Sequence, residues 1–437
     1  MKVLKFGEAS IGSAKRIKEV AGIIRGAGKD IVVVSAMAGT TEMLAEIAGN
    51  LYNRNLEGAR DTIAALEKKC LAIAEDLYAQ PASKAKAQDY IKEVSQGLVT
   101  ITKDLFSETQ ERLVLAQGEL LSSFLLATYL EEQGLSVSLI PALAFMRTDI
   151  NGEPDADSIK SNLQKMLAAA PEAQNYITEG NICVNIREEV DNLKSEGSDY
   201  TACLIGAAIG AEEIQIWTDI DGLHDNDPKL VEGTSAVRHL HFEEAAELAY
   251  FGARILHPTC LLPARYANIP VRLLNTKDPE APGTLIDNVL EKGIIKAVAA
   301  KDNIVAIKIK SSHMLLARGF LRKVFEIFES YRTSIDMICT SEVGVSLTID
   351  DTRYLSEIVH DLKKYGTVTV DLDMCIVCVV GDMDWSNCGF ESRVMGALKD
   401  IPVRMVSYGG SNYNISLLVR EEDKAATLRS LSKELFG

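Results

Sequence analysis

The sequence predicts an α/β protein, a layered α/β domain followed by two similar, smaller α/β units, and three observations carry that prediction. Strand-like runs at residues 2–6, 31–35, 136–140, 214–218 and 271–274 alternate with longer helical patterns, as in a layered sheet with crossover helices. That part ends near Asn288. A glycine-containing turn, Gly197-Ser198-Asp199, opens into an alanine-rich helix over 200–210, and the strand after it ends in paired acids. From about Ile294 onward an internal repeat replaces the first pattern, with Phe320 and Phe390 separated by 70 positions, as are Ser346-Leu347 and Ser416-Leu417.

The elements follow in order. Residues 2–6 read as a short amphipathic strand rather than a signal peptide. Between 45 and 132 lies a helical block without strands, in which 64–78 and 85–105 carry apolar residues near helical spacing. It is expected to be a helical subdomain covering one side of the site, with a lid or an interaction hairpin as alternatives. The turn at 197–199 directs backbone N–H groups and a helix start outward, where an anionic phosphate can bind. Asp219 and Asp221 then sit at the carboxyl lip of the 214–218 strand, suited to orient Mg²⁺ or nucleotide hydroxyls. A plain N-cap followed by turn acids is the commoner source of such a pattern. In the repeated region, the first unit has a strand at 305–309, Gly319-Phe320, a helix at 321–330 and a hairpin at 335–349. The second has 374–380, Gly389-Phe390, a helix at 392–398 and a hairpin at 403–419.

Composition narrows the function classes. The 437 residues are 47% hydrophobic and 25% charged, enough for more than one core. No uninterrupted apolar stretch reaches the roughly 20 residues of a membrane span, so a cytoplasmic chain with no membrane partner is expected. A formal charge of −16 argues against nucleic-acid binding and requires that anionic substrates be held by a local positive pocket. Eight cysteines in apolar contexts suit buried thiols in a reducing compartment. Cys375 and Cys378, three apart in a strand, point to opposite faces and are not read as metal ligands.

The run from Gly197 through Asp221 continues into Phe242-Glu243-Glu244-Ala245-Ala246 and on to Ile286, and with Lys5-Phe6-Gly7, Val33 to Gly39 and Gln117 to Ser122 it resembles aspartokinase over nearly the whole chain. The resemblance implies an amino-acid-kinase-type three-layer sandwich over residues 1–290, with the helical subdomain at 45–132. Tandem ACT domains, ferredoxin-like βαββαβ modules, are then expected over 291–437. The first copy would span about 304–372, and the second 373–437 with 291–303. A plain ferredoxin-like pair serving only dimerisation is the alternative.

The implied chemistry is transfer of the ATP γ-phosphoryl group to the side-chain carboxylate of aspartate, with ATP and Mg²⁺ required. That carboxylate, with a reference pKa of about 4, is already ionised, so positioning and charge neutralisation carry the catalysis. By resemblance Lys5 and Asp199 are catalytic. Thr41, Glu119 and Ser198 contact the substrate, with Glu119 pairing its ammonium group. Lys5, Gly7, Ser10, Thr218, Asp219, His224, Asp227, Lys229 and Arg254 lie on the nucleotide side. An amino-acid effector, lysine first and threonine second, is expected at Met314, Gly319, Phe320, Leu321, Asp336, Ser341 and Glu342, and a homodimer through the ACT domains. Ala317 stands where lysine-sensitive members often have serine, and Gly344 interrupts the Thr340-Ser341-Glu342 strand.

The chain departs from the family at the catalytic motifs. Lys-Phe-Gly-Gly-Thr-Ser appears as Lys5-Phe6-Gly7-Glu8-Ala9-Ser10, and Leu-Gly-Arg-Gly-Gly-Ser-Asp appears as Leu193-Lys194-Ser195-Glu196-Gly197-Ser198-Asp199. Gly-Phe-Ile-Gly appears as Gly180-Asn181-Ile182-Cys183, which places a bulky side chain where close backbone approach is expected. Three readings follow from these changes: a working aspartate kinase with an altered pocket, a weakened homologue acting as an amino-acid sensor, or a kinase for another small carboxylate.

Overall fold

The computed structural model describes all residues except 27, 104, 194–196, 253–255 and 312–318. The chain forms two compact units, one of Met1–Gly222 with Thr259–Asn288 and one of Leu223–Pro258 with Val289–Gly437. The second unit therefore takes in Leu223–Pro258, which the sequence boundary near residue 290 groups with the kinase part.

The first unit begins with β1 (Val3–Phe6), α1 (Glu8–Ile11), α2 (Ala14–Gly26) and β2 (Asp30–Val34). The helical block is α3 (Thr40–Tyr52), α4 (Leu56–Leu77), α5 (Pro81–Ile101) and α6 (Glu108–Glu132). Next come β3 (Val137–Leu139), α7 (Ala142–Phe145), α8 (Ala156–Ala169), β4 (Asn175–Glu179), β5 (Ile182–Val184), β6 (Val190–Asn192), α9 (Gly197–Ile209) and β7 (Ile214–Thr218). The second unit's β8 (His239–His241) and α10 (Phe242–Tyr250) intervene before α11 (Leu262–Tyr266), β9 (Val271–Asn275) and β10 (Thr284–Asp287) complete the first.

Within the first unit the strands run β3-β4-β2-β1-β7-β9-β10. All neighbours are parallel except β10 on β9. Helices cover both faces, as parallel sheets require. Leu4, Phe6, Val32, Val34 and Trp217 share one core with residues of α2 to α6, while α9 packs on the other face against β1, β2 and β7. The amphipathic expectation for residues 2–6 is corrected here, since Val3, Leu4, Lys5 and Phe6 are all buried. A strand between two helix layers has no solvent face. The helical block joins the sheet in that single core through Leu44, Ile63, Cys70, Ile91 and Leu125. Its longest helix, α6, starts on a capping box made by Ser107 and Gln110 and is long and apolar enough to span a membrane. Two thirds of its most apolar window is buried inside the protein, as in a core helix.

The second unit continues with β11 (Ile295–Lys310), α12 (Phe320–Ser330), β12 (Ile338–Thr340), β13 (Gly344–Ile349), α13 (Leu355–Leu362), β14 (Thr367–Gly381), α14 (Phe390–Ala397), β15 (Met405–Ser407), β16 (Asn414–Arg420) and α15 (Lys424–Leu435). Its sheet has the order β12-β13-β11-β14-β16-β15. The repeat is visible residue by residue: Gly319 and Gly389 both take left-handed φ, 85° and 98°, at the N-caps of α12 and α14. Phe320 and Phe390 are each buried as the first residue of those helices. One core gathers α12 and α13 on the sheet around Phe320, Val324 and Phe328, and another gathers α14 and α15 around Phe390, Val394 and Leu428. The separate strands expected at 305–309 and 374–380 are halves of longer ones. β11 and β14 pair along their length from Ile295↔Gly381 to Lys310↔Thr367, with register shifts between Lys301 and Ala306.

Candidate functional site

The centre of the first unit's site is a buried cation. Lys5 lies near the end of β1, in register with Val33 of β2 and Ile216 of β7, and strand alternation points it away from the Leu4 and Phe6 core toward α9. It is 7% exposed. Its Nζ stands 2.6 Å from Asp199 Oδ1 in the first turn of α9, a close ion pair whose angles fall short of a hydrogen bond. The chain then turns at Gly7, whose N–H donates to the Trp217 carbonyl (3.4 Å). A Cβ on Gly7 would lie 3.2 Å from Lys5 Nζ, so glycine keeps the ammonium group accessible on that side. Ser10 is buried and its Oγ donates to the Trp217 carbonyl (3.3 Å), which ties α1 to β7.

Ser198 belongs to the same end of the sheet, with its Oγ 2.5 Å from Ser35 Oγ just beyond β2. The backbone of Gly180 presses against it, so that a Cβ at that position would meet Ser198 Cβ at 2.3 Å. The close approach in the Gly180-Asn181-Ile182-Cys183 turn falls on Gly180. Asn181 takes the left-handed turn (φ 64°) and its N–H donates to Thr201 Oγ1 (2.9 Å). Cys183 is buried in β5, and burial pushes its thiol up to about 12. Lys194, Ser195 and Glu196 lie outside the described residues.

Glu8 is half-buried. Its Oε1 accepts the N–H of Gly39 (2.9 Å), the left-handed N-cap of α3, so a carboxylate supplied by the chain itself sits at that helix start. Beside it Lys69 of α4 donates from Nζ to the Ala38 carbonyl (2.6 Å), a cation the sequence reading missed. Thr41 is exposed one residue into α3, while its neighbour Thr40 is fully buried with no hydrogen-bond partner for Oγ1 among the described residues. Glu119 is half-buried on α6. Burial pushes its carboxyl up to about 7, with Glu179 and Glu8 adding to the rise against a backbone hydrogen bond. Glu179, at the end of β4, is buried and accepts from Ser123 Oγ (2.6 Å) and the Ala142 N–H (2.7 Å).

At the carboxyl lip of β7, the Thr218 hydroxyl donates to the Ile220 carbonyl (3.3 Å), and the Thr218 carbonyl accepts from both N and Oγ1 of Thr276 (2.8 Å each). Asp219 pairs with Lys277 Nζ at 3.5 Å. Lys277 was not singled out from sequence, although its place just past the β9 strand, at the same lip as Asp219, was a readable signal.

The remaining expected residues belong to the second unit. His224 Nδ1 lies 3.0 Å from Thr234 Oγ1, and Asp227 Oδ1 accepts the Lys229 N–H (2.9 Å). Arg254 and Met314 lie outside the described residues. Gly319, Phe320 and Leu321 form the start of α12. Ser341 and Glu342 are exposed in the turn between β12 and β13, so Thr340-Ser341-Glu342 is a strand end plus a turn, and β13 begins at Gly344. Asp336 already has partners within the chain: Lys301 Nζ at 2.7 Å and the Tyr250 hydroxyl at 2.9 Å. Lys301 also reaches Asp350 (2.9 Å) and lies 4.5 Å from the Tyr250 ring centroid. Asp336 Oδ2, in a side chain 1% exposed, keeps no hydrogen-bond partner among the described residues. Pairings of this kind join distant segments, and single-sequence spacing does not encode them.

Residues 1–275 match the amino acid kinase family and residues 377–435 match an ACT domain. The chain is 33% identical to aspartokinase 1, chloroplastic, of Arabidopsis thaliana, covering 99% of this chain and 80% of that protein. It is 31% identical to lysine-sensitive aspartokinase 3 of Escherichia coli, covering 99% of each. Among solved structures it is similar to E. coli aspartokinase III in complex with aspartate and ADP, at 30% identity, full coverage of both chains and a TM-score of 0.81. Similarity to that enzyme with lysine and aspartate bound gives a TM-score of 0.82.

Proposed function

The chain belongs to the aspartokinase family and is a kinase, and from that premise we propose that it transfers the γ-phosphoryl group of ATP to the side-chain carboxylate of L-aspartate, giving 4-phospho-L-aspartate for amino-acid biosynthesis. The observation that carries this reading is the buried Lys5, held by Asp199 beside a glycine turn at the sheet's carboxyl end.

Each chain residue has a task in that reading. Lys5 neutralises charge on the transferring phosphoryl group, and Asp199 holds its ammonium group in place. No general base is needed because the attacking carboxylate is already ionised. Ser198, Glu119 and Thr41 contact aspartate. The ionised form of Glu119 takes the α-ammonium group, and the charge of Glu8 nearby makes the pocket less receptive to a substrate carboxylate. Thr218 and Asp219 face the nucleotide. Asp219 and Asp221, just past β7, are the carboxylates that would help hold Mg²⁺, where it would neutralise phosphate charge.

Regulation by an amino acid is proposed through the second unit, with lysine first and threonine second, since one relative is a lysine-sensitive aspartokinase and another structure holds lysine. Asp336 enters this reading changed: its own Lys301 already neutralises one oxygen, leaving Oδ2 for an effector ammonium group. A homodimer through the ACT modules and a cytoplasmic location complete the proposal.

A coupled ADP-release assay with Mg·ATP and aspartate, run with and without lysine, tests it. Aspartate-dependent turnover that lysine suppresses is expected. Lysine binding by calorimetry without any turnover would replace the enzyme with a sensor. Turnover with a different small carboxylate alone would reassign the substrate.

A further inference from the structure

Aspartate brings two carboxylates to the site, and only one receives the phosphoryl group. The other calls for a cation. The substrate contacts proposed above, Thr41, Glu119 and Ser198, include none, and Lys5 is committed to Asp199 and the phosphoryl group. Lys69 reaches this end of the sheet from the helical block. Half-buried on α4, it donates from Nζ to the Ala38 carbonyl (2.6 Å) in the loop of residues 35–39 that links β2 to α3.

Packing sets the position of that loop. A Cβ on Gly12 would meet Ala38 Cβ at 2.7 Å, and one on Gly118 would meet Ala36 Cβ at 2.9 Å, so the α1–α2 junction and α6 close on the loop at distances that no side chain at those positions would permit. Met37 between them is fully buried. The loop's first residue, Ser35, meets Ser198 (Oγ to Oγ 2.5 Å), Gly118 is the chain neighbour of Glu119, and Thr41 follows two residues after the loop's end. Lys69 Nζ is thus fastened to a loop that all three substrate contacts adjoin.

The charge of Lys69 has no counterpart. Among the described residues it forms no ion pair, and a carbonyl dipole takes one of its three N–H donors. An ammonium group held half-buried on a neutral partner keeps a positive potential that an incoming carboxylate can neutralise. Its flank is open as well. Gly39 adopts φ 70°, which by itself favours glycine, and a Cβ there would stand 3.0 Å from Lys69 Nζ. Gly7 leaves Lys5 open in the same manner (3.2 Å), so the turns after the paired strands β1 and β2 each carry a glycine that bares a lysine ammonium group. We propose that Lys69 binds the α-carboxylate of the amino-acid substrate, which makes the helical block a wall of the substrate pocket. The assignment rests on the reading of aspartate as the substrate.

The test uses the full chain with L-aspartate and with its α-amide, in which a neutral carboxamide replaces the α-carboxylate. Lys69→Met, which keeps an apolar stem, is expected to raise the aspartate KM by about ten- to hundredfold, the scale of one charge-assisted hydrogen bond, and to leave the ATP KM within about twofold. Lys69→Arg restores the charge and should recover part of the loss. The deciding measurement is the ratio of kcat/KM for aspartate over the α-amide. The parent should favour aspartate by about tenfold or more, and Lys69→Met should abolish that preference. Ile63→Ala, in the core beneath α4, serves as a control for destabilisation and should keep it. If the parent shows no preference, or if Lys69→Met slows both compounds equally so that the preference survives, Lys69 is only a strut between block and loop and the binding role is overturned. A parent that turns over neither compound while still binding ADP by calorimetry would instead overturn the aspartate reading beneath it.

Discussion

Glu119 carries a pH signature that single substitutions can isolate. Its carboxyl is raised from 4.5 to about 7, so below about pH 7 the folded, unliganded chain favours the neutral form. Stability is lost as pH rises from about 4.5 toward 7, because the unfolded chain ionises first. Glu119→Gln should therefore raise the melting temperature at pH 8 and leave it unchanged at pH 4, as read by calorimetry. On the proposed pairing of ionised Glu119 with the substrate ammonium group, aspartate affinity should climb through pH 7 in the parent and become flat in the variant. Glu8→Gln keeps an acceptor for the Gly39 N–H but removes a charge that Glu119 feels. It should improve kcat/KM for aspartate on the order of tenfold and move the Glu119 midpoint downward. A kinetic profile unchanged in both respects would show that Glu8 does not face the pocket. Much at this scale was legible. Lys5, Gly7, Ser198 and Glu119 sit in local motifs, whereas the partners of Glu8, Asp336 and Asp219 come from segments far along the chain.

Elements were legible where their periodicity was strong. The boundaries of β7 match the 214–218 run, and the helical block resolves into α3 to α6. β4 went unread because Asn175-Tyr176-Ile177-Thr178-Glu179 looks polar, yet all five residues are buried between helix layers, with Glu179 satisfied by Ser123 and Ala142. Tertiary burial overrides pattern there. The junction of β4 with α9 makes its own prediction. Gly180→Ala drives a methyl group into the Ser198 backbone, with its Cβ 2.8 Å from Ser198 Cα. The expected cost is about 1–3 kcal/mol by denaturant titration, with turnover falling further than stability because Ser198 is displaced. Equal activity per folded molecule would remove Ser198 from the substrate pocket.

Across the whole chain, a formal charge of −16 meets substrates that are themselves anionic. Salt screens that repulsion, so the second-order capture of both substrates should rise modestly, about twofold, between 10 and 150 mM salt. A fall in kcat/KM over that range would show that the local cations outweigh the global field. Regulation is testable at the same scale. Asp336→Asn should weaken lysine binding several-fold by calorimetry while ADP affinity is retained, because the amide loses the charge that Oδ2 offers an ammonium group. The repeat itself was visible as a spacing of residues, but its joinery was not, since β-pairing partners lie up to 86 residues apart, as for Ile295 and Gly381.

That joinery constrains how the protein was made and how it can be taken apart. Because β11 and β14 each lend one half to either module, no single cut between residues 310 and 367 releases a finished piece. Limited digestion inside this region should yield nicked chains that stay associated, and excised fragments should misfold or dimerise by exchanging strands. Removing either duplicate would leave the other with half-strands that have lost their pairing partners.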